Sequence, residues 1–336
     1  MHVGVNLNNR EALLAPGYGL PELLELGGRV EELGFDSAWV GDSLLSKPRY
    51  EPLTLLAALA QRTVRVELGT ACLVTTLRHP LQLAQAWATV DVLSNGRTIL
   101  GACAGNVAEE AVQREFAALG LDHRTRMGRF EEGLRVLRQL LETGSATFHG
   151  EHFDLDDIGF TTGVEPVPLL PARTPPVWVV ANPSIGRPTA VGPSRAARRV
   201  AELGDGWLTC CRARHPDEVE SFVAAIREAR EEAGRATERF TVAYQVTIAL
   251  GDERNAALAA QRAYIDAYYP GFNEAVDLAD WGPAGTADDV LDWIQSFAAA
   301  GVDTFVCRFA SLDQHDQVER FADGVLPVLR RAEPAA

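Results

Sequence analysis

Short apolar runs alternate along the chain with longer segments in which apolar residues recur every three or four positions. The runs show little alternation between polar and apolar residues, as expected of strands that are buried on both faces. The longer segments have the periodicity of helices that cover a sheet. Eight runs are predicted as strands, at residues 2–7, 37–42, 66–74, 97–103, 177–181, 206–210, 241–249 and 304–309.

Helix-breaking and helix-capping residues stand between these strands. Pro80 and Pro216 are each placed at the first position of a predicted helix, where a missing N–H costs nothing. Asn95-Gly96 is a typical helix end. Thr286 and Asp289 have the spacing of a capping box and predict a further helix start.

Eight strands, each followed by helical sequence, predict a (β/α)8 TIM barrel. The length of 336 residues is normal for one such barrel, so we expect a single domain over residues 1–336. An open, doubly wound sheet is the alternative. It usually has a glycine-rich turn after its first strand, but here Asn6 to Arg10 contain no glycine.

Three stretches interrupt this rhythm, at about residues 143–176, 182–194 and 268–283. The first two are rich in proline, which predicts irregular structure in an insertion around the fifth strand. Long irregular loops of a compact barrel are often lids or binding loops, and we expect these to shield an active site.

The composition indicates which binding partners and which cellular compartment are expected. The net charge of −15 disfavours nucleic acid and anionic membrane surfaces as partners. No apolar run approaches the ~18 residues of a membrane span, and the N-terminus has no basic leader. Five cysteines without a CxxC pair suggest free thiols. We therefore expect a cytoplasmic protein without membrane attachment.

The active site of a barrel lies at the C-terminal ends of its strands. No strand-end lysine is available for Schiff-base chemistry, and Asp42 is the only carboxylate there, which disfavours a metal site. Such a mixed polar and apolar mouth suits a flat organic cofactor that carries the difficult chemistry. The strand-end residues are Asn6, Asp42-Ser43, Ala71-Cys72, Gly105-Asn106, Asn182, Cys210-Cys211, Tyr244 or Gln245, and Arg308.

Several motifs, in order, resemble the bacterial luciferase-like flavin-dependent oxidoreductases. The segment 89–97 closely matches the family pattern T-x-D-x-L-S-x-G-R. The other matching segments are 34–42 (GFDSAWVGD), 67–73 (ELGTACL) with 78–80 (RHP), 176–179 (PVWV) and 203–207 (LGDGW). Any one of these motifs is weak evidence for the family, but their occurrence in the family's order over residues 1–210 is specific to it.

The resemblance implies a (β/α)8 barrel that uses either reduced FMN with O2 or the deazaflavin coenzyme F-420. It implies that the cofactor ring lies over the strand ends, beside a cis peptide bond at Ala71–Cys72. Asp42 and Ser43 stand where deazaflavin members often have Asp-His, and Asn106 stands where some have an acid. The candidate catalytic residues are therefore Asp42, Ser43 and Asn106, although the usual acid/base pair for alcohol oxidation is missing.

The other site residues also follow from the resemblance. Ala181-Asn182-Pro183 replaces a common Ala-Gly-Gly, so the cofactor phosphate is expected at Asn182, Ser184 or the helix start near Ser194. The remaining cofactor-binding candidates are Asn6, Ala71, Cys72, Gly105 and Asn106, and the substrate-pocket candidates are Trp39, Arg78, Tyr244 and Arg308.

The main functional prediction is a monooxygenase that oxidises a small organic substrate with O2 and reduced FMN from a separate flavin reductase. The alternatives are a coenzyme F-420-dependent reductase or dehydrogenase, and a flavin-binding homologue without catalysis. The predicted helices at 52–61 and 80–93 are apolar over most of their circumference, which favours a homodimer, as is common in the family.

Overall fold

Parallel strands close into a barrel with the helices on its outside. The computed structural model describes residues 1–160, 169–182, 193–209, 215–269, 278 and 281–331. The strands in these ranges are β1 (His2–Asn6), β2 (Ser37–Val40), β3 (Glu67–Thr70), β4 (Leu73–Val74), β5 (Thr98–Cys103), β6 (Ser145–His149), β7 (Asp154–Gly159), β8 (Val177–Val180), β9 (Gly206–Thr209), β10 (Thr241–Leu250), β11 (Ala284–Gly285) and β12 (Thr304–Phe309). The barrel runs β1-β2-β3-β5-β8-β9-β10-β12 and closes on β1, which confirms the predicted TIM barrel.

The helices follow the strands in the order that the sequence predicts. They are α1 (Leu20–Glu32), α2 (Pro52–Arg62), α3 (Pro80–Ser94), α4 (Glu110–Ala118), α5 (Arg126–Thr143), α6 (Arg195–Leu203), α7 (Pro216–Glu232), α8 (Arg254–Tyr268), α9 (Ala287–Ala299), α10 (His315–Gly324) and α11 (Leu326–Arg331). No helix in the described ranges combines the length and the apolar character needed to cross a bilayer.

The starts of α3, α7 and α9 and the end of α3 agree with the residues that predicted them. Pro80 and Pro216 begin α3 and α7, and Asn95 ends α3 in the left-handed region at φ 59°. At the start of α9 the Thr286 hydroxyl accepts from the Asp289 N–H at 3.3 Å, and the Asp289 carboxylate accepts from the Thr286 N–H at 2.9 Å. The predicted capping box is thereby confirmed.

The third strand differs from its prediction. The run 66–74 is not continuous, because it divides into β3 and the short β4, which pairs only with β5. Between them the Ala71–Cys72 peptide bond is cis, as the family resemblance implied. The other predicted strands are present with ends shifted by no more than two residues.

The first insertion is more regular than its prolines suggest. The prediction of irregular structure throughout 143–176 is wrong, because β6 and β7 form an antiparallel hairpin there. Glu132 of α5 holds its turn, since the carboxylate accepts from the N–H groups of Glu151, His152 and Phe153 at 2.8 to 3.2 Å. Residues 161–168, 183–192 and most of 270–280 lie outside the described ranges, and these include parts of the expected shielding segments.

Tryptophans fill the barrel interior, and glycines on the neighbouring strands make room for them. The Trp39 ring lies 5.1 Å from that of Trp178 and donates to the Ser37 hydroxyl at 2.7 Å. A Cβ on Gly4 or Gly69 would approach Trp39 to 2.5 or 2.2 Å. Large and small side chains on adjacent strands therefore complement each other in this layer.

Candidate active site at the C-terminal mouth of the barrel

Polar side chains project from the ends of three adjacent strands at the C-terminal mouth. Asn6 and Arg308 follow the paired residues Val5 and Cys307, so they lie at one level on β1 and β12. Thr247 of β10 pairs with Arg308 and accepts from its Nε and Nη2 at 3.2 and 2.8 Å. Asn6 is only 5% exposed, and its Oδ1 is buried without a hydrogen-bond partner in the described part of the chain.

Next to this polar group lies a small apolar platform. Ala71 and Cys72 pack on the interior cluster that contains Ile99, Trp178 and Leu208. Gly105, just beyond β5, has φ 81°, and a Cβ there would lie 3.2 Å from Val74. The strand order β12-β1-β2-β3 thus places the predicted residues Arg308 and Asn6, and the Ala71–Cys72 bond, along the same part of the mouth.

Asp42 and Arg78 form an ion pair with each other. The Asp42 carboxylate accepts from Arg78 at 2.5 and 3.3 Å and from the Val74 N–H at 2.9 Å. Arg78 also reaches Glu51 at 3.2 Å. The expectation that Asp42 acts on the reaction while Arg78 contacts substrate is corrected here, because each side chain is already occupied by the other.

The other two predicted catalytic side chains serve their own loops. The Ser43 hydroxyl accepts from the Lys47 N–H at 3.1 Å, and the exposed Asn106 side chain accepts from the Ala108 N–H at 3.2 Å. A primary amide also cannot take up a proton near neutral pH. The described residues therefore do not assemble Asp42, Ser43 and Asn106 into an acid/base group.

Two expected phosphate ligands are visible on the far side of the mouth. Asn182 follows β8, and its Oδ1 accepts from the Thr209 hydroxyl at 3.2 Å. Ser194 caps α6 by accepting from the Ala197 N–H at 3.2 Å. The N-terminus of α6 thereby keeps the orientation that favours an anion. The third predicted ligand, Ser184, and the pair Cys210-Cys211 lie outside the described residues.

Trp39 and Tyr244 do not line the mouth as predicted. Trp39 is fully buried in the barrel interior below it. The Tyr244 ring packs against Trp293 and Phe297 of α9, at 5.5 and 5.1 Å, on the helix-facing side of β10. Strands that are buried on both faces give no sequence signal for which side a residue takes.

Arg308, a predicted substrate-pocket residue, belongs to a polar cluster above β12, β1 and β2 whose other members the sequence did not predict. The centre of this cluster is the Tyr268 ring of α8, which has the guanidinium groups of Arg10, Arg49 and Arg308 at 4.9, 5.6 and 5.1 Å. The carboxylate of Glu11 accepts from the Tyr264 hydroxyl. The only available signal was that Arg10 and Arg49 stand in the loops that follow the first two strands.

Burial sets the protonation of this cluster. It raises the pKa of Tyr264 well above its ordinary value and that of Tyr268 to about 12. Both phenols are therefore neutral near pH 7, while arginine stays cationic in proteins. Among the described residues, no group of three His, Cys, Asp or Glu side chains is arranged to hold a metal ion.

Comparison with known proteins places this geometry in context. The sequence profile described as "Luciferase-like monooxygenase" matches residues 1–304. An F420-dependent glucose-6-phosphate dehydrogenase of Amycolatopsis mediterranei is 27% identical, over 94% of this chain and 96% of that protein. A 5,10-methylenetetrahydromethanopterin reductase of Archaeoglobus fulgidus is also 27% identical, over 89% and 93%. The monooxygenase RslO1 of Streptomyces bottropensis superposes with a TM-score of 0.79 at 23% identity, over 98% and 100% of the two chains.

Proposed function

Since the chain belongs to the luciferase-like monooxygenase family and is thereby an oxidoreductase, we propose that it transfers a hydride between coenzyme F420 and a small organic substrate. The observation that carries this proposal is the near full-length similarity to a protein named as F420-dependent. The sequence analysis gave this F420-dependent reaction as an alternative, and its main prediction was an FMN-dependent monooxygenase. The FMN-dependent reaction with O2 stays the second candidate, since the monooxygenase RslO1 shares the fold of this chain at 23% identity.

The residues at the mouth fit a flat tricyclic ring. Ala71 and Cys72 would support its apolar face, and the bare backbone at Gly105 would allow close approach. The buried, unpartnered Oδ1 of Asn6 is an acceptor for a ring N–H. Asn182 and the α6 N-terminus at Ser194 would hold the phosphate group. Reduced F420 supplies a hydride when it is bound, and these residues would orient it and exclude water.

The direction we favour is reduction of the substrate. Oxidation of an alcohol requires a base that accepts the hydroxyl proton. The expected histidine is replaced by Ser43, the expected acid by Asn106, and Asp42 is engaged with Arg78. The sugar-phosphate oxidation named for the Amycolatopsis relative is therefore not carried over. Reduction of a C=C or C=N bond suits this set of side chains better, because the hydride would come from reduced F420 and the proton from solvent water, with no side-chain base required.

Cofactor choice is tested by anaerobic equilibrium titrations of the purified protein with F420 and, separately, with reduced FMN. We expect F420 to bind with a Kd in the micromolar range or below, about −8 kcal/mol or stronger, and reduced FMN to bind at least tenfold more weakly. Tight binding of reduced FMN alone would instead support the O2-dependent reaction with a flavin reductase. Binding of neither would support the homologue without catalysis.

A matched pair of variants tests the location of the ring. Cys72→Trp places an indole on the apolar platform and should weaken F420 binding at least tenfold. Val328→Trp makes the same addition on α11, at a position that is 36% exposed and outside the mouth, and should leave the Kd unchanged. Equal affinities of the two variants would contradict this position of the ring.

A further inference from the structure

Three arginines converge above one edge of the mouth, beside the proposed cofactor platform. Arg10 follows β1, Arg49 follows β2, and Arg308 lies on β12. These strands are consecutive neighbours in the barrel, and β2 is followed by β3, which ends at Ala71–Cys72. The cluster is thus built from residues far apart in sequence and lies next to the place where the ring would bind.

The positive charge of this cluster exceeds its negative charge. Glu11 is the one carboxylate found here among the described residues, and although burial of each guanidinium acts in the opposite direction, the charge of Glu11 raises the pKa of both Arg49 and Arg308. Other half-buried arginines face carboxylates directly, such as Arg199 with Glu131 at 2.7 Å and Arg330 with Asp36 at 2.6 Å. Three largely buried cations face a single carboxylate here, and an excess of buried charge is costly, so this arrangement favours an additional anion.

The hydrogen-bonding capacity of the cluster is also incomplete. Arg10 is 8% exposed and donates from Nη2 to the Tyr268 carbonyl at 3.2 Å, yet its Nε and Nη1 are buried without a partner in the described residues. The Nε of Arg49 is likewise buried without a hydrogen-bond partner in the described residues. The Tyr268 hydroxyl lies beside Arg49 and can add a donor because it remains protonated. Guanidinium groups match the paired oxygens of carboxylates and phosphates.

We propose that Arg10, Arg49 and Arg308 bind a carboxylate or phosphate group of the substrate, and so restrict the enzyme to small anionic substrates. This inference rests on the proposed function, because it assumes that the reacting part of the substrate meets the cofactor at Ala71–Cys72. The anionic group would then be anchored on the β12-β1-β2 side, with Asn6 between the anchor and the platform. The whole chain has a net charge of −15, so its surface in general repels anions. A local cluster of arginines would therefore direct anionic substrates to this site.

The test measures thermal unfolding in phosphate and in acetate, against chloride at equal ionic strength. The variant is Arg49→Gln, and the control is Arg124→Gln, whose side chain is 80% exposed and paired with Asp122. We expect phosphate or acetate to raise the Tm of the wild type and of the control by about 2 °C or more. Arg49→Gln should lose this rise. Absence of the rise in the wild type, or its persistence in Arg49→Gln, would overturn the proposal.

F420 titrations on the same samples separate this inference from the proposed function. We expect Arg49→Gln to keep the wild-type Kd for F420, and phosphate not to compete with F420. If F420 binds normally while the anions have no effect, only the substrate inference fails. If Arg49→Gln weakens F420 binding tenfold, or phosphate competes with it, the arginines hold the cofactor's own phosphate and the proposal is overturned.

A second variant covers the case in which Arg49→Gln does not fold. Arg49→Lys keeps the charge but loses the planar pair of donors. Its response to phosphate should be displaced to at least threefold higher concentration, and a response equal to that of the wild type would contradict the proposed site.

Discussion

At the scale of single residues, Asp42 lies where the sequence predicts a catalytic residue, but its contacts favour a structural role. It lies at the mouth, just after β2, as predicted. Its carboxylate, however, accepts two hydrogen bonds from Arg78 and one from the Val74 N–H, so it joins β2 to the loop after β4. Asp42 is therefore better described as a positioning residue than as a proton carrier.

Replacing Asp42 should consequently reduce stability. Asp42→Asn leaves the half-buried Arg78 guanidinium with only the more exposed Glu51, and we expect a loss of about 2–3 kcal/mol in the free energy of unfolding, measured in urea. Adding Arg78→Met should recover part of that loss. Asp122→Asn, which breaks an exposed pair with Arg124, should lower stability less than Asp42→Asn does. Unchanged stability of Asp42→Asn together with lost turnover would point instead to a role in proton transfer.

At the scale of elements, carboxylates on helices organise the loops beside them. Glu31 of α1 accepts from the N–H groups of Val64, Arg65 and Val66, and so holds the turn that leads into β3. Glu132 of α5 holds the β6–β7 turn in the same way. Burial alone would raise the pKa of Glu132, but the backbone donors at 151–153 lower it overall.

This lowered pKa predicts a pH dependence. The folded state binds the Glu132 proton less tightly than the unfolded state, so the stabilisation is present above the unfolded pKa and disappears as the pH falls through the folded pKa. Glu132→Gln should cost about 1 kcal/mol at pH 7, and its Tm should approach that of the wild type towards pH 3. The exposed Glu151→Gln is the control. A Tm difference for Glu132→Gln that is independent of pH would contradict this assignment.

At the scale of the whole molecule, one side of the barrel keeps apolar surface that the single chain does not cover. Val92 and Leu93 at the end of α3 are 50% and 43% exposed, and Val64 after α2 is 87% exposed. Apolar side chains so arranged on neighbouring helices are typical of an interface. The homodimer expected from the sequence accordingly stays a prediction for this face.

Light scattering coupled to size exclusion tests it. The wild type should elute with twice the mass of the 36.4 kDa chain, and Val92→Asp should shift the equilibrium towards monomer. Leu119→Asp, at a position that is 45% exposed on the end of α4, should leave the mass unchanged. A monomeric wild type would exclude the dimer, and a dimeric Val92→Asp would place its interface elsewhere.

The order of the strands and helices, and most of their ends, could be predicted from local sequence alone. Apolar runs, prolines at helix starts, Asn95 and the Thr286–Asp289 box act through neighbouring residues, so their effect is readable locally. The hairpin of β6 and β7 was not readable, because its strands are short and largely exposed and depend on pairing with each other and on Glu132.

Which side chains meet at the mouth depends on how the barrel closes and could not be predicted from the sequence. Closing the barrel brings Arg308 beside Asn6 and close to Arg10 and Arg49, and joins Asp42 to Arg78 across 36 residues. It also turns Trp39 into the barrel interior and Tyr244 towards α9, although both come from equally apolar strands. Which face a residue takes, and which distant charge it meets, follows from strand register and barrel closure, and these depend on contacts between segments remote in sequence.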